Sequence, residues 1–387
     1  MIPYGRQSIS QEDINQVVQV LQSDYLTQGP AIPRFEAAVA AYCGTAYALA
    51  TNSATAALHV ACLALGVGPG DRVWTSPTTF VASANCAIYC GAEVDFVDID
   101  PHTYNMSVAC LAEKLCQARQ HDALPKVVIP VHLCGQSCDM EAIHALSREY
   151  GFRIVEDASH AIGGRYQGQP VGSCRYSDVT VFSFHPVKII TTGEGGMALT
   201  NDLALANLMR QYRSHGITSD SSEMVHCDAS EIWNYQQIRL GYNYRITDIQ
   251  AALGLSQMGR LDEFVHARHQ IAAAYDQALF SLPITLPFQH ASTFSSYHLY
   301  PVRIDHERCG KDQRTVYQQM HQAGILVNLH YIPVYRQPYY ERMGFCSGYC
   351  PEAERYHRET LSLPMYPTLT AIQQQTVIDA LREALKS

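Results

Sequence analysis

Apolar positions recur along this chain with two different periods. Between Ile9 and Leu21 they fall every three or four residues, with acidic Glu12 and Asp13 in the first turn. That spacing predicts an amphipathic helix beginning near Ser10. Residues 33–43 keep the same period and stop at Gly44, which predicts a second helix. From residue 46 onward, short apolar runs alternate with helical stretches: 46–51 then 53–65, 72–75 then 82–90, 94–97, 126–131 then 140–150, 152–156, and 179–184. Short strands alternating with helices signal a mainly parallel sheet covered on both faces, so residues 45–200 read as a three-layer α/β core.

Residues 247–279 read as one long helix, interrupted only by isolated Gly254 and Gly259. Beyond Pro283 the pattern predicts a strand at 298–304, a helix at 314–323, a turn at Gly324-Ile325 leading into 326–331, and a closing helix at 370–385. The expected organisation is a large domain at 1–245 with an N-terminal helical segment, a connecting long helix at 246–282, and a small α+β domain at 283–387.

Composition narrows the function. With 387 residues, 47% of them hydrophobic and 16% charged, the chain is a folded protein rather than a disordered or repetitive one. Its net charge is −9 and no block of basic residues interrupts that balance, which argues against a nucleic-acid groove while leaving room for small anionic ligands. The segment from Met1 to Gln7 lacks the apolar core of a signal peptide, and no run reaches roughly 18 apolar residues, so no membrane partner and a cytoplasmic location are expected. The 13 cysteines are an odd number, expected to be reduced thiols. The pairs Cys86/Cys90, Cys134/Cys138 and Cys346/Cys350 lie far apart in apolar or loop contexts, so no metal site is expected.

Three segments carry candidate chemistry. In Thr51-Asn52-Ser53-Ala54-Thr55, a strand end opens an alanine-rich helix. Free amides and the helix dipole make such a junction either a phosphate cradle, with hydroxyls from Ser53 and Thr55, or an ordinary N-cap. Residues 152–157 form an apolar strand ending in Glu156-Asp157. Ligands of open α/β sheets collect outside the carboxyl ends of the strands, so Asp157 can meet a cationic ring nitrogen or N-cap the next helix; Glu156 is expected to face solvent or a structural partner. The third strand runs through Ser183-Phe184-His185-Pro186-Val187-Lys188 into Gly193-Glu194-Gly195-Gly196. A lysine desolvated among apolar neighbours becomes nucleophilic toward carbonyls, although a loop lysine can also snorkel to water and the glycines that follow can simply form a turn. A phosphate anchor, then a carboxylate for a pyridinium, then a lysine is the order of parts that pyridoxal 5′-phosphate (PLP) requires.

With these landmarks the sequence resembles the DegT and StrS group of PLP-dependent sugar aminotransferases, nearly end to end. Further matching motifs are Leu26-Thr27-Gln28-Gly29-Pro30, Ala158-Ser159-His160-Ala161 and Gly241-Tyr242-Asn243-Tyr244-Arg245. The resemblance implies the aspartate aminotransferase-like type I fold, with a three-layer α/β/α large domain. It implies Lys188 as the lysine bonded to the cofactor and Asp157 as partner of the ring nitrogen. Ser53, Ala54, Thr55 and Ser183 would hold the phosphate, with Phe80 stacked on the ring and His160 near it. Asn243 and Arg245 would reach the phosphate of a neighbouring subunit in a homodimer. Tyr4, Asp24, Tyr25, Leu26, Thr27, His330 and Tyr331 would line a nucleotide-sugar groove.

Arg213-Ser214-His215-Gly216-Ile217, the run from His330 to Tyr335, and Leu361-Ser362-Leu363-Pro364 resemble the branch of the group that serves pseudaminic acid biosynthesis. That implies L-glutamate as donor, pyridoxamine 5′-phosphate as the intermediate form of the cofactor, and a UDP-linked 4-keto-6-deoxy-N-acetylhexosamine as acceptor. Three alternatives keep the fold: a dTDP or GDP keto-sugar as acceptor, a sugar 3-dehydratase, and a silent regulatory relative. Lys188 speaks against the dehydratase, which carries histidine there, and Lys188, Asp157 and Ser183 together speak against the silent relative.

Overall fold

Seven strands form the central sheet of the computed structural model, which describes residues 1–225 and 233–386. In chain order they are β1 (Tyr47–Thr51), β2 (Arg72–Thr75), β3 (Glu93–Phe96), β4 (Val127–Ile129), β5 (Arg153–Asp157), β6 (Val179–Ser183) and β7 (Gly196–Thr200). Across the sheet they run β1-β7-β6-β5-β4-β2-β3. β7 is antiparallel to both its neighbours, and every other pair is parallel.

Alternation along the strands explains the layers. Leu49, Val127, Ile129, Val155, Val181 and Ala198 share a core with Leu58 and Ala61 of the helix Ala54–Ala64 on one face. Ala50, Phe182, Met197 and Leu199 pack on the other face against Phe35 and Val39 of the helix Ala31–Cys43. Both faces are therefore dry, which is why the strands read as apolar runs rather than as alternating ones.

Most predicted elements are present. The first helix is Gln11–Leu21, with Ser10 and Asp13 forming a reciprocal capping box, and Gly44 ends the second helix in the left-handed conformation at φ 70°. The glycines after Lys188 make a turn and then a strand, Gly196 opening β7. One expectation is corrected. The stretch 247–279 is two helices, Asp248–Met258 and Leu261–Leu279. Gly259 closes the first, and Arg260, at φ −115° and ψ 6°, resets the direction so that the second serves two cores. Leu261, Phe264 and Val265 belong to the large core, whereas Ile271, Ala272, Tyr275 and Leu279 belong to the C-terminal one. Gly254 has a packing role: a Cβ there would lie 2.6 Å from the Phe35 ring.

The C-terminal core surrounds a three-stranded sheet of Ile284–Thr285, Tyr300–Ile304 and Thr360–Leu363, covered by the helices Gln313–Gln322 and Ala371–Ala384. A short strand, Ile325–Leu326, pairs in parallel with Ile2–Pro3 and brings Tyr4 alongside the chain leading to His330. Val334, Tyr335, Tyr340, Cys350 and Tyr356 then return to pack on Phe96, Ile99 and Tyr104 at the edge of the large sheet. Tyr335 closes that segment, its hydroxyl donating to Glu354 Oε1 at 2.7 Å and accepting the Cys350 N–H at 3.1 Å. The twelve described cysteines are free thiols, and Cys227 lies outside the described residues. Among the described residues no helix is long and apolar enough to cross a membrane.

Candidate active site

The site lies where the ends of β1, β6 and β5 meet the start of β7. Gly196 pairs with Thr51 on one side and with Ser183 on the other, while Asp157 stands in register with Val181. The reversed strand thus brings its first residue, rather than its last, to the ligand edge of the sheet.

Ser53 is an N-cap: its hydroxyl accepts the Ala56 N–H at 3.1 Å, which leaves its own proton free to donate. The N–H groups of Ala54 and Thr55 have no acceptor among the described residues, as expected for the first turn of a helix. Gly196 comes so close to this turn that a Cβ on it would lie 2.4 Å from Ala54 N and 2.5 Å from the Ser53 carbonyl carbon. A cradle of free amides and hydroxyls at a helix N-terminus, with Ser183 one strand away, fits a phosphate. Ser53 is therefore an N-cap whose free hydroxyl proton leaves it able to serve a phosphate as well.

Asp157 is buried. Its Oδ1 accepts the Ser159 N–H at 3.1 Å, capping a turn rather than a helix, and its Oδ2 accepts the Ser83 hydroxyl at 2.6 Å. Glu156 points to the other face, where it bonds His132 Nε2 at 2.6 Å and the hydroxyls of Ser177 and Thr180. Glu156 is thus a structural residue, as expected.

Lys188 sits on a loop pinned at both ends: the Phe184 N–H donates to Gly195 O at 2.9 Å, and the Thr192 N–H returns to Phe184 O at 3.0 Å. Buried Ile189 and Ile190 anchor the loop from below. Among the described residues the Lys188 amine has no hydrogen bond, and desolvation brings its pKa down to about 8, partly opposed by the charges of Asp157 and Cys134. In that environment an appreciable fraction of the lysine is neutral, and so nucleophilic, near neutral pH.

Three histidines surround this amine. His160 Nδ1 accepts the Cys134 N–H at 3.2 Å, so the ring proton lies on Nε2, 3.2 Å from the Tyr331 hydroxyl. Burial, then the Lys188 charge, hold His160 well below the ordinary histidine range. His330 bonds Ser362 through Nδ1 at 2.8 Å and is pushed down to about 3 by burial and by Lys188. His298 lies 4.3 Å from the His160 ring, with Nδ1 buried and unpartnered among the described residues. Sequence reading placed His298 only at the start of a strand.

The remaining candidates lie at the rim. Phe80 is 60% exposed, and Asp24, Tyr25, Leu26 and Thr27 are all exposed. Their loop is held by Asp248, which accepts the N–H groups of Gly29 at 2.7 Å and Ala31 at 2.8 Å. Asp248 carried no signal in the sequence beyond the capping box of Thr247 and Gln250 beside it. The Tyr4 ring lies 5.2 Å from the His330 ring, tilted by 55°. Asn243 is exposed beside Asn52, its carbonyl accepting the Asn52 amide at 3.3 Å. Arg245 pairs through its backbone with Thr51, and its Nε is buried without a partner among the described residues.

Comparison with known proteins agrees with this chemistry. Residues 7–382 match the DegT/DnrJ/EryC1/StrS aminotransferase family. The chain is 37% identical over 388 residues to the spore coat polysaccharide biosynthesis protein SpsC of Bacillus subtilis, covering 100% of this chain and 97% of that protein. Helicobacter pylori PseC, an aminotransferase involved in the biosynthesis of pseudoaminic acid, superposes with a TM-score of 0.90 at 30% identity, covering 99% of each chain. The PMP-form of Spr1654 from Streptococcus pneumoniae superposes with a TM-score of 0.88 at 29% identity, covering 100% of this chain and 99% of that one, and the same protein has a PLP-form. The fold is the type I fold of PLP-dependent transferases, and PLP is the cofactor. With a family match that runs from residue 7 to residue 382, the chain belongs to the DegT/DnrJ/EryC1/StrS aminotransferase family and is a PLP-dependent sugar aminotransferase.

Proposed function

We propose that this enzyme moves the amino group of L-glutamate to C4 of UDP-2-acetamido-2,6-dideoxy-β-L-arabino-hex-4-ulose. The product is UDP-4-amino-4,6-dideoxy-N-acetyl-β-L-altrosamine, in pseudaminic acid biosynthesis, and the enzyme acts as a cytoplasmic homodimer with shared active sites. The observation that carries the choice of sugar is the end-to-end similarity to PseC, at a TM-score of 0.90.

PLP, when bound, supplies the electron sink and carries the amino group between the two half-reactions. The protein does the rest. In this reading Ser53, Ala54, Thr55 and Ser183 hold the phosphate, joined by Asn243 and Arg245 from the neighbouring subunit. Asp157 keeps the ring nitrogen protonated, Phe80 covers one face of the ring, and His160 lies beside it. Lys188 would hold the cofactor at its aldehyde carbon, and its amine, once free, would take up the proton that the glutamate α-carbon loses. An amine with a pKa of about 8 can both give and take that proton near neutral pH. Tyr4, the loop Asp24-Tyr25-Leu26-Thr27, His330 and Tyr331 orient the nucleotide sugar.

The test is spectroscopic. Glutamate should bleach the yellow protein, and among UDP, dTDP and GDP 4-keto sugars only the UDP sugar should restore the colour. Recovery with a dTDP or GDP sugar and none with the UDP sugar overturns the assignment.

A further inference from the structure

Behind Asp157 lies a buried chain of hydroxyls that the reaction as described does not use. Ser83, in the helix Ala82–Tyr89, is wholly inaccessible to solvent, and Thr79 just before that helix is buried as well. Ser83 Oγ lies 2.6 Å from Asp157 Oδ2, 2.7 Å from Thr79 Oγ1 and 3.4 Å from the Phe80 carbonyl. A serine has one proton to give, and an ionised carboxylate only accepts. The short contact to charged Oδ2 outweighs the long one to Phe80, so Ser83 donates to Asp157 and Thr79 in turn donates to Ser83.

We infer that Ser83 is a positioning residue for the aminotransfer reaction, the middle member of a relay from Thr79 through Ser83 to Asp157 that aims the carboxylate at the cofactor ring nitrogen. The inference rests on the reading of Asp157 as partner of that nitrogen. Two features of the geometry support it. First, the carboxylate is gripped on both oxygens by different elements, Oδ2 by Ser83 and Oδ1 by the Ser159 N–H, so it cannot rotate, yet each oxygen keeps a lone pair for the ring. Second, Ser83 stands three residues after Phe80, the residue proposed to cover the ring face. The relay therefore ties the side chain on the ring face to the side chain on the ring nitrogen.

The relay has an electronic consequence. A carboxylate held in line with the ring nitrogen keeps the proton there, and one free to turn away holds it less well. A protonated ring disfavours a second proton on the bond between Lys188 and the cofactor, which keeps the titration of the visible band at low pH. Loss of the donor should move that titration upward.

The experiment uses the PLP-loaded protein and the variants Ser83→Ala, Ser83→Thr and Thr79→Val, with circular dichroism to confirm folding. Ser83→Ala is expected to raise the titration midpoint of the visible band by about one pH unit and to weaken PLP retention about tenfold. Ser83→Thr, which keeps the hydroxyl, should restore both. Thr79→Val, which leaves Ser83 in place and removes only its donor, should shift the midpoint in the same direction by less, and it serves as the probe if Ser83→Ala does not fold. A folded Ser83→Ala with the wild-type midpoint overturns the relay, as does a folded Thr79→Val with the wild-type midpoint where Ser83→Ala cannot fold. A wild-type protein that develops no visible band with PLP would instead remove the reading of Lys188 and Asp157 themselves, so the two failures are distinguishable.

Discussion

The proposed cofactor end of the site and its proposed sugar end are made of different material. At the cofactor end, Asp157 and Ser183 are 4% and 7% exposed and stand on adjoining strands of a sheet dry on both faces. At the sugar end, Tyr25 and Leu26 are 56% and 48% exposed on a loop held mainly from one side by Asp248. A rigid sheet edge suits chemistry that every member of a family must perform, because displacing a strand end disturbs the whole core. An exposed loop suits recognition that differs between members, because it can change without repacking anything.

The largest expected effect sits at the cofactor end. Lys188→Ala should lower kcat by about 10⁴-fold or more and abolish the yellow band, with no pyridoxyl mark after borohydride reduction, while UDP binding by calorimetry stays at the wild-type level. Loss of UDP binding in that variant would erase the contrast between the two ends. Next is Gly196→Ala. The new Cβ would press on the backbone of Ser53 and Ala54 and should cost about 1–3 kcal/mol, seen as up to a hundredfold weaker PLP binding in an absorbance titration. At the other end, Asp248→Ala strands the N–H groups of Gly29 and Ala31 and should raise KM for the nucleotide sugar about tenfold while leaving the PLP spectrum unchanged. An altered spectrum would mean that the loop and the cradle move together.

The last effect concerns pH and needs no substitution. Because burial lowers the Lys188 pKa to about 8, the neutral amine predominates above that pH and falls about tenfold per unit below it. The rate at which the apoprotein takes up PLP should therefore climb from pH 6 to 8 and then level off. A climb that continues towards pH 10 would show an amine in water rather than a desolvated one.

How much of this was legible in the sequence follows from the same contrast. Asp157, Ser183 and Lys188 could be found because each ends or follows an apolar run, and a strand end is a place that sequence patterns mark. Ser83, His298 and Asp248 could not, because each acts through a partner distant in sequence. Ser83 meets Asp157 from another layer, His298 meets His160 across 138 residues of chain, and Asp248 meets Gly29 across 219. No local period records such a pairing. The break at Gly259 was hidden for the opposite reason: helical spacing continues on both sides of it, although the two helices answer to different neighbours.

The stapling of the Lys188 loop at Phe184 has a consequence for motion. A tether with two fixed feet has no slack, so in the role proposed for it this amine would have to reach and leave the cofactor by its side chain alone. Four methylenes are enough for that travel, and the backbone beneath can stay still. On the proposed reading, lengthening the segment between the feet by even a few residues would leave the amine searching, whereas the same insertion at the tip of the 24–29 loop would change the fit of the sugar and spare the cofactor.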